Sequence, residues 1–199
     1  MLKRCFDFVF SLVGLFILTP VLLLICIIVK IDSTGPVFFI QQRVGRGGNL
    51  FGLFKFRTMQ VDADKFTAIT VGSRDPRITR VGYYLRKYKL DELPQLINVV
   101  VGDMSLVGPR PELKKFVDLY TAEQRIVISI RPGITDLASI EYRNENELLE
   151  GKADPIDFYI REIMPHKLEL NRQYLQHQSL MLDFRIIVKT AFSIFIKRK

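Results

Sequence analysis

At 199 residues and 48% hydrophobic content, the chain is long enough to bury one core without staples and too apolar to be an unfolded polyelectrolyte. Two cysteines exclude a disulfide scaffold. A net charge of +8 and a pI near 9.6 point to anionic partners, which leaves nucleic acid, phospholipid headgroups and phosphorylated substrates.

From Phe8 to Val29 there is no charged side chain, a run of about 22 residues and enough to cross a bilayer core of roughly 30 Å. The run is too long for a signal peptide and no small-residue cleavage site follows it, so it is expected to stay attached. Cys5 and Cys26 lie in or beside it and read as small buried hydrophobes. Thr19-Pro20 falls near its centre, where proline removes a donor and clashes with the Phe16 carbonyl, so a helix must kink or break. Lys3 and Arg4 precede the run, and Lys30, Arg43, Arg46, Lys55 and Arg57 follow it; positive flanks favour the cytoplasmic side, and here both do. A re-entrant helix-break-helix satisfies both flanks if a group such as the Thr19 hydroxyl takes up the freed carbonyl. A kinked spanning anchor with an outside N-terminus is the other reading, and charge and proline alone do not separate the two.

Beyond "DSTGP", the stretch "VFFIQQRVGRGGNLFGLFKFRTM" predicts two strands around a glycine turn. The glycines lack any nucleotide-binding spacing and are expected to serve the turn alone. Period-two alternation puts Lys55 and Arg57 on one face of the second strand and Phe54 and Phe56 on the other. Residues 60–78 are expected to be loop, "RITRVGYYLRKYKL" to be helical, and "PQLINVVV" to start a second helix on its proline. "RPGIT" (131–135) is expected to be a turn and "YRNENELLEG" a polar surface. Three helices are predicted at the end: Pro155 to Met164, Pro165 to His177 and Ser179 to Ile196. The last carries Phe184, Ile187, Val188, Ala191, Phe192 and Phe195 on one face, which suits either a core or anionic lipid. The fold class is α+β and mainly helical.

Most polar chemistry can be set aside. His166 and His177 have no acidic or cysteine partner at ligand spacing, and nothing near Cys5 would depress its pKa. The aromatics sit in apolar runs rather than beside exposed arginines, which disfavours nucleic acid. Asp91-Glu92 remain. Two acids before a helix are ordinary capping residues. They also lie in a run of cations, with Arg80, Arg86 and Lys87 before and Arg110 after. Adjacent carboxylates sharing a site repel unless cations or a divalent metal hold both ionised, and an ionised Asp so placed suits attack on phosphorus.

"KFRTM" (55–59), "LRKYKLDELPQLINVVVGDMSLVGPRPE" (85–112), "RPGIT" (131–135) and the apolar segment interrupted at Thr19-Pro20 closely resemble the bacterial sugar transferases, the monotopic polyprenyl-phosphate phosphoglycosyl transferases. The resemblance implies a minimal catalytic core: a re-entrant membrane helix over 1–32 and a membrane-associated catalytic domain over 33–199, with amphipathic interfacial helices. It places the chain at the bacterial inner membrane, its active site on the cytoplasmic face. It further implies that Asp91 attacks a UDP-sugar to form a phosphosugar-aspartate, that undecaprenyl phosphate then accepts the phosphosugar, and that Glu92 binds Mg²⁺. Arg86 and Arg110 match positions expected to hold phosphates, and Lys55, Arg57, Arg131 and Arg143 match further substrate-binding cations. After "RPGIT" many family members read Gly-Trp-Ala-Gln and later Asn-Gly-Arg, whereas this chain has "DLASIEYRNEN" (136–146), in which only Ala138 and Arg143 keep the pattern. Anionic membrane lipid is an expected partner, nucleic acid is not, and self-association is left open.

Overall fold

The computed structural model describes residues 2–61, 63, 72 and 75–195. The chain begins with one long helix, α1 (Leu2–Asp32), followed by the antiparallel strands β1 (Phe38–Val44) and β2 (Leu50–Phe56). The two strands form the predicted hairpin, in which Phe39 lies opposite Lys55 and Arg43 opposite Phe51. Most of the expected loop at 60–78 lies outside the described residues.

Two short helices follow, α2 (Arg80–Lys87), capped by the Thr79 hydroxyl, and α3 (Gln95–Val101), which has Pro94 at its N-cap. Strands β3 (Ser105–Val107) and β4 (Gly133–Thr135) pair in parallel. "RPGIT" is therefore not only a turn. Its glycine is demanded by this pairing, because a Cβ on Gly133 would sit 2.1 Å from the backbone nitrogen of Gly108. A parallel pair of three residues carries no periodicity that a sequence could show. Helices α4 (Lys114–Val117), α5 (Leu137–Glu141) and α6 (Glu145–Leu149) are single turns. The segment expected to be polar surface thus contains a helix whose Leu149 is fully buried.

The predicted break at Pro165 is absent. Helix α7 (Pro155–Phe158), a π-helical segment (Tyr159–Ile163) and α8 (Met164–Gln176) run on continuously, with Pro165 in the first turn of α8, where a missing N–H costs little. In the last helix, α9 (Leu180–Phe195), the face picked out by the sequence is split, with Ile187 packed against the core and Phe184 and Phe192 exposed. Asp183 and Ile186 turn inward, while Met181 stays exposed.

Helix α1 is continuous through Thr19-Pro20, so the proline interrupts its hydrogen bonding without ending it. The Thr19 hydroxyl donates to the Leu15 carbonyl (2.8 Å) rather than to the Phe16 carbonyl that Pro20 leaves unpaired. Both ends of the helix are tied to the same folded domain. At its start Lys3 Nζ meets Asp183 (2.5 Å), Arg4 donates to the Val99 and Val100 carbonyls that end α3, and buried Asp7 accepts from Ser105 Oγ and Leu106 N. At its end Ile25 and Val29 pack on Phe56 and Leu85, and Asp32 accepts from Val81 N. Between them one side of the helix still meets the domain, with Ser11 buried, and the other is bare: Phe16 is 81% exposed and Ile17 64%.

The hairpin is fixed to α3 by one buried amide. Asn98 Oδ1 accepts from Phe54 N (3.0 Å) and its Nδ2 donates to the Gly52 carbonyl (2.8 Å), so the edge of β2 that faces α3 has its backbone groups satisfied. Replacing Asn98 by Leu strands both, at a cost of about 1–3 kcal/mol each. Asn98→Leu is expected to lower the thermal midpoint in detergent by several degrees or more; an unchanged midpoint contradicts this role.

Candidate active site

The hairpin, the turn after α2, the loop after β3 and strand β4 border one open cavity of about 750 Å³. Lys55 enters from β2, Arg110 from the loop after β3, and Arg143 from the segment after α5. Asp91 and Glu92 sit on a 3₁₀ turn (Leu90–Glu92) entered through Lys89, whose φ of 57° makes it the one left-handed non-glycine among the described residues. That conformation costs a non-glycine residue about 1 kcal/mol or more. Here it reverses the chain at the end of α2, so the two acids point inward instead of continuing the helix.

Both acids are buried, and their surroundings differ. Arg110 grips Glu92 with two nitrogens, Nη1 on Oε2 at 3.1 Å and Nη2 on Oε1, and Lys55 Nζ adds a contact to Oε1 at 3.1 Å. Burial alone would raise the Glu92 pKa, but Arg110 and Lys55 outweigh it and hold Glu92 well below the usual range. Asp91 is pushed the other way, by burial first and by Glu92 second, with Lys55, Lys89 and Arg86 only partly opposing. Its Oδ1 is buried with no hydrogen-bond partner. One carboxylate is saturated by cations and the other is left open. Arg110 in turn has its pKa raised by Glu92, while burial, only partly offset by Glu92, lowers that of Lys55.

Arg110 is positioned from behind. Its backbone nitrogen donates to Asp136 Oδ2 (3.0 Å), and Asp136 Oδ1 accepts from Ser139 N (2.6 Å) at the start of α5. Asp136 is fully buried.

Of the residues singled out in the sequence, Lys55, Arg57, Arg86, Asp91, Glu92, Arg110 and Arg143 all line this cavity. Arg131 does not: its Nε donates to the Gly102 carbonyl at the end of α3 (2.7 Å), which makes it a brace between α3 and β4. A group the sequence reading missed joins the wall instead. Glu112 binds Tyr159 OH (2.6 Å), Lys167 Nζ (3.4 Å) and Arg43 Nη1 (3.6 Å), and Lys167 also meets Glu145 (2.9 Å). Arg43 could have been found, because period two in β1 puts Gln41 and Arg43 on the face that opposes Lys55. Lys167 could not, since it arrives from a helix more than fifty residues further on.

A family pattern and three relatives bear on this site. The sequence pattern of the family described as "Bacterial sugar transferase" matches residues 1–197, and the chain belongs to that family. A Bacillus subtilis relative is 40% identical over 153 residues, 77% of this chain and 82% of its own; its name assigns it provisionally to undecaprenyl-phosphate N-acetylgalactosaminyl 1-phosphate transfer. An Escherichia coli relative named UDP-glucose:undecaprenyl-phosphate glucose-1-phosphate transferase is 34% identical over all of this chain and 41% of its own length. The Rhizobium meliloti exopolysaccharide production protein ExoY is 34% identical over all of this chain and 87% of its own. The chain thus spans most of two of these relatives and less than half of the third.

The raised pKa of Asp91 has a consequence for stability. A carboxyl whose folded pKa exceeds its unfolded value destabilises the fold once pH is above both, and has no such effect below the ordinary range of about 3.9. Asp91→Asn is therefore expected to melt higher than the parent at pH 7 and to lose that advantage at acid pH. A lower midpoint at pH 7 contradicts the geometry.

Proposed function

We propose that the protein transfers a sugar 1-phosphate from a UDP-sugar to undecaprenyl phosphate, releasing UMP, and so starts assembly of a surface glycan. The observation that carries this reading is the asymmetric acid pair: a buried aspartate oxygen with no partner, beside a glutamate held ionised by Arg110 and Lys55. A carboxylate that accepts no hydrogen bond is poorly solvated and hence the better nucleophile of the two. Asp91 Oδ1 attacks the β-phosphorus of the donor, the bond from phosphorus to the bridging oxygen breaks, and UMP leaves with the electron pair. An oxygen of the lipid phosphate then attacks the same phosphorus, and the bond to Asp91 breaks to restore the carboxylate. No proton has to move in either displacement.

Positive charge is what makes the first attack feasible, because carboxylate and diphosphate repel. Arg86, Lys89, Arg110 and Arg143 line the same cavity. At an effective dielectric near 20, each cation about 4 Å from a phosphate charge contributes roughly 4 kcal/mol before desolvation. Mg²⁺ fits this site as a further counter-charge. A single carboxylate is a donor set that Mg²⁺ takes when substrate phosphates supply the rest, and Glu92, beside the reactive Asp91, provides it. When bound, Mg²⁺ would neutralise developing charge on the phosphates. Glu92 would serve as its ligand by exchanging the contact with Lys55.

The same reading places the protein at the bacterial inner membrane with the site on the cytoplasmic face. Supporting it, a helix long and apolar enough to cross a bilayer has both of its ends docked on one domain. A spanning helix would carry Lys3 away from Asp183. A re-entrant helix, dipping into the bilayer around exposed Phe16 and Ile17, keeps both contacts and holds the acids at headgroup depth.

Relatives named for N-acetylgalactosamine and for glucose both match the chain, so the sugar is read from experiment. Purified protein incubated briefly with a panel of UDP-sugars and Mg²⁺, without lipid, is expected to carry a phosphosugar adduct on the peptide holding Asp91, and Asp91→Asn is expected to carry none. Turnover with undecaprenyl phosphate but no adduct under any donor would replace the two-step route with direct displacement. Absence of both would remove the enzymatic reading.

A further inference from the structure

We propose that Arg57 seats the phosphate monoester of the lipid acceptor, apart from the cations that hold the donor. This rests on the transferase reading above and assigns one of its two substrates to a place. Arg57 is 5% exposed and lines the same cavity as the acid pair. Its Nη2 donates to the Ser33 carbonyl (2.7 Å) and to Ser33 Oγ (2.9 Å), which fixes the guanidinium plane. Its Nε and Nη1 are buried and have no partner. Buried polar groups are as a rule hydrogen-bonded, and a half-satisfied guanidinium calls for an anion that the protein itself does not supply. Lys55 and Arg110 are already engaged with Glu92, and Arg43 with Glu112.

The position of Arg57 selects which anion. Ser33 is the first residue after α1, so Arg57 marks the depth at which the chain leaves its apolar helix. A lipid phosphate is confined to that depth, whereas a nucleotide sugar arrives from water. The side chains leading to Arg57 are apolar. Pro36, Phe38, Met59 and Val61 line this part of the cavity, Phe38 stacks on Phe56 with ring centroids 5.4 Å apart, and Val61 is 54% exposed. Ile31, on the last turn of α1, is 81% exposed. A prenyl chain can follow these surfaces out of the bilayer while its phosphate reaches the guanidinium. Gly35 keeps the place open, since a Cβ there would lie 2.2 Å from Arg57 Nη1.

The test uses the full chain in lipid nanodiscs. Arg57→Lys and Arg57→Gln are compared with the parent for steady-state KM toward polyprenyl phosphate, for the burst of UMP formed without acceptor, and for polyprenyl phosphate retained in native mass spectra. The expected result is a KM raised tenfold or more and lipid phosphate lost from the spectra, with the burst falling less than threefold and Lys recovering part of the loss. In an otherwise unaltered chain carrying p-benzoylphenylalanine at position 61, light should cross-link polyprenyl phosphate. Neither inorganic phosphate nor phosphatidylglycerol should compete for that cross-link; competition by the first would make this a free-phosphate site, and by the second a general headgroup site. Burst and steady state falling together would assign Arg57 to the donor or to the fold and overturn the proposal. If the Arg57 variants do not fold, the cross-link decides alone, and its absence overturns the proposal. A parent protein that shows neither burst nor turnover, yet retains lipid phosphate through Arg57, would sink the transferase reading and leave this site standing.

Discussion

Two adjacent carboxylates in one buried site cannot share it on equal terms, and the rest of the structure follows from how that conflict is resolved. Arg110 and Lys55 both go to Glu92. Asp91 receives burial, its neighbour's repulsion and no hydrogen bond at Oδ1. The result is a division by environment, in which one acid gathers positive charge and the other keeps an unpartnered oxygen, the asymmetry on which the proposed reaction rests.

Maintaining that asymmetry requires parts from across the chain. Lys55 comes from a hairpin tied to α3 by Asn98, and Arg110 from a loop clamped by Asp136 and by the close crossing of Gly108 and Gly133. The acids themselves depend on the left-handed Lys89. The membrane helix belongs to the same assembly, since Arg4 caps the end of α3 and Arg57 holds Ser33 at the opposite end. On the function proposed above, the reactive group has to be held at a fixed depth in the membrane, and direct side-chain ties between α1 and the site achieve this without a flexible tether.

The hairpin and the helix starting at Pro94 could be read from the sequence, because each depends on a local signal, alternation or a proline at a helix start, whereas most site residues came only through the motifs that resemble the sugar transferases. What could not be read has a common physical character. The β3–β4 pairing joins residues some thirty positions apart through three-residue strands, too short for any period. Arg131 sits in a motif with other cations but spends its Nε on a helix-terminal carbonyl, a choice set only by the fold. Lys167 and Tyr159 reach Glu112 from a helical run whose π segment and tolerated Pro165 the pattern did not disclose. Thr19-Pro20 announced a break that α1 absorbs, because a single missing donor in a long helix costs one hydrogen bond and not the helix.

The unequal ionisation of the two acids can be observed directly. With ¹³C-labelled carboxyl groups in Asp and Glu, and Asp91→Asn and Glu92→Gln to assign the signals, the titration of each is followed by NMR in detergent. The account predicts that Asp91 titrates above the ordinary aspartate range while Glu92 stays ionised to the lowest pH at which the protein remains folded. Titration of both in the ordinary range, or of Glu92 above Asp91, would contradict it.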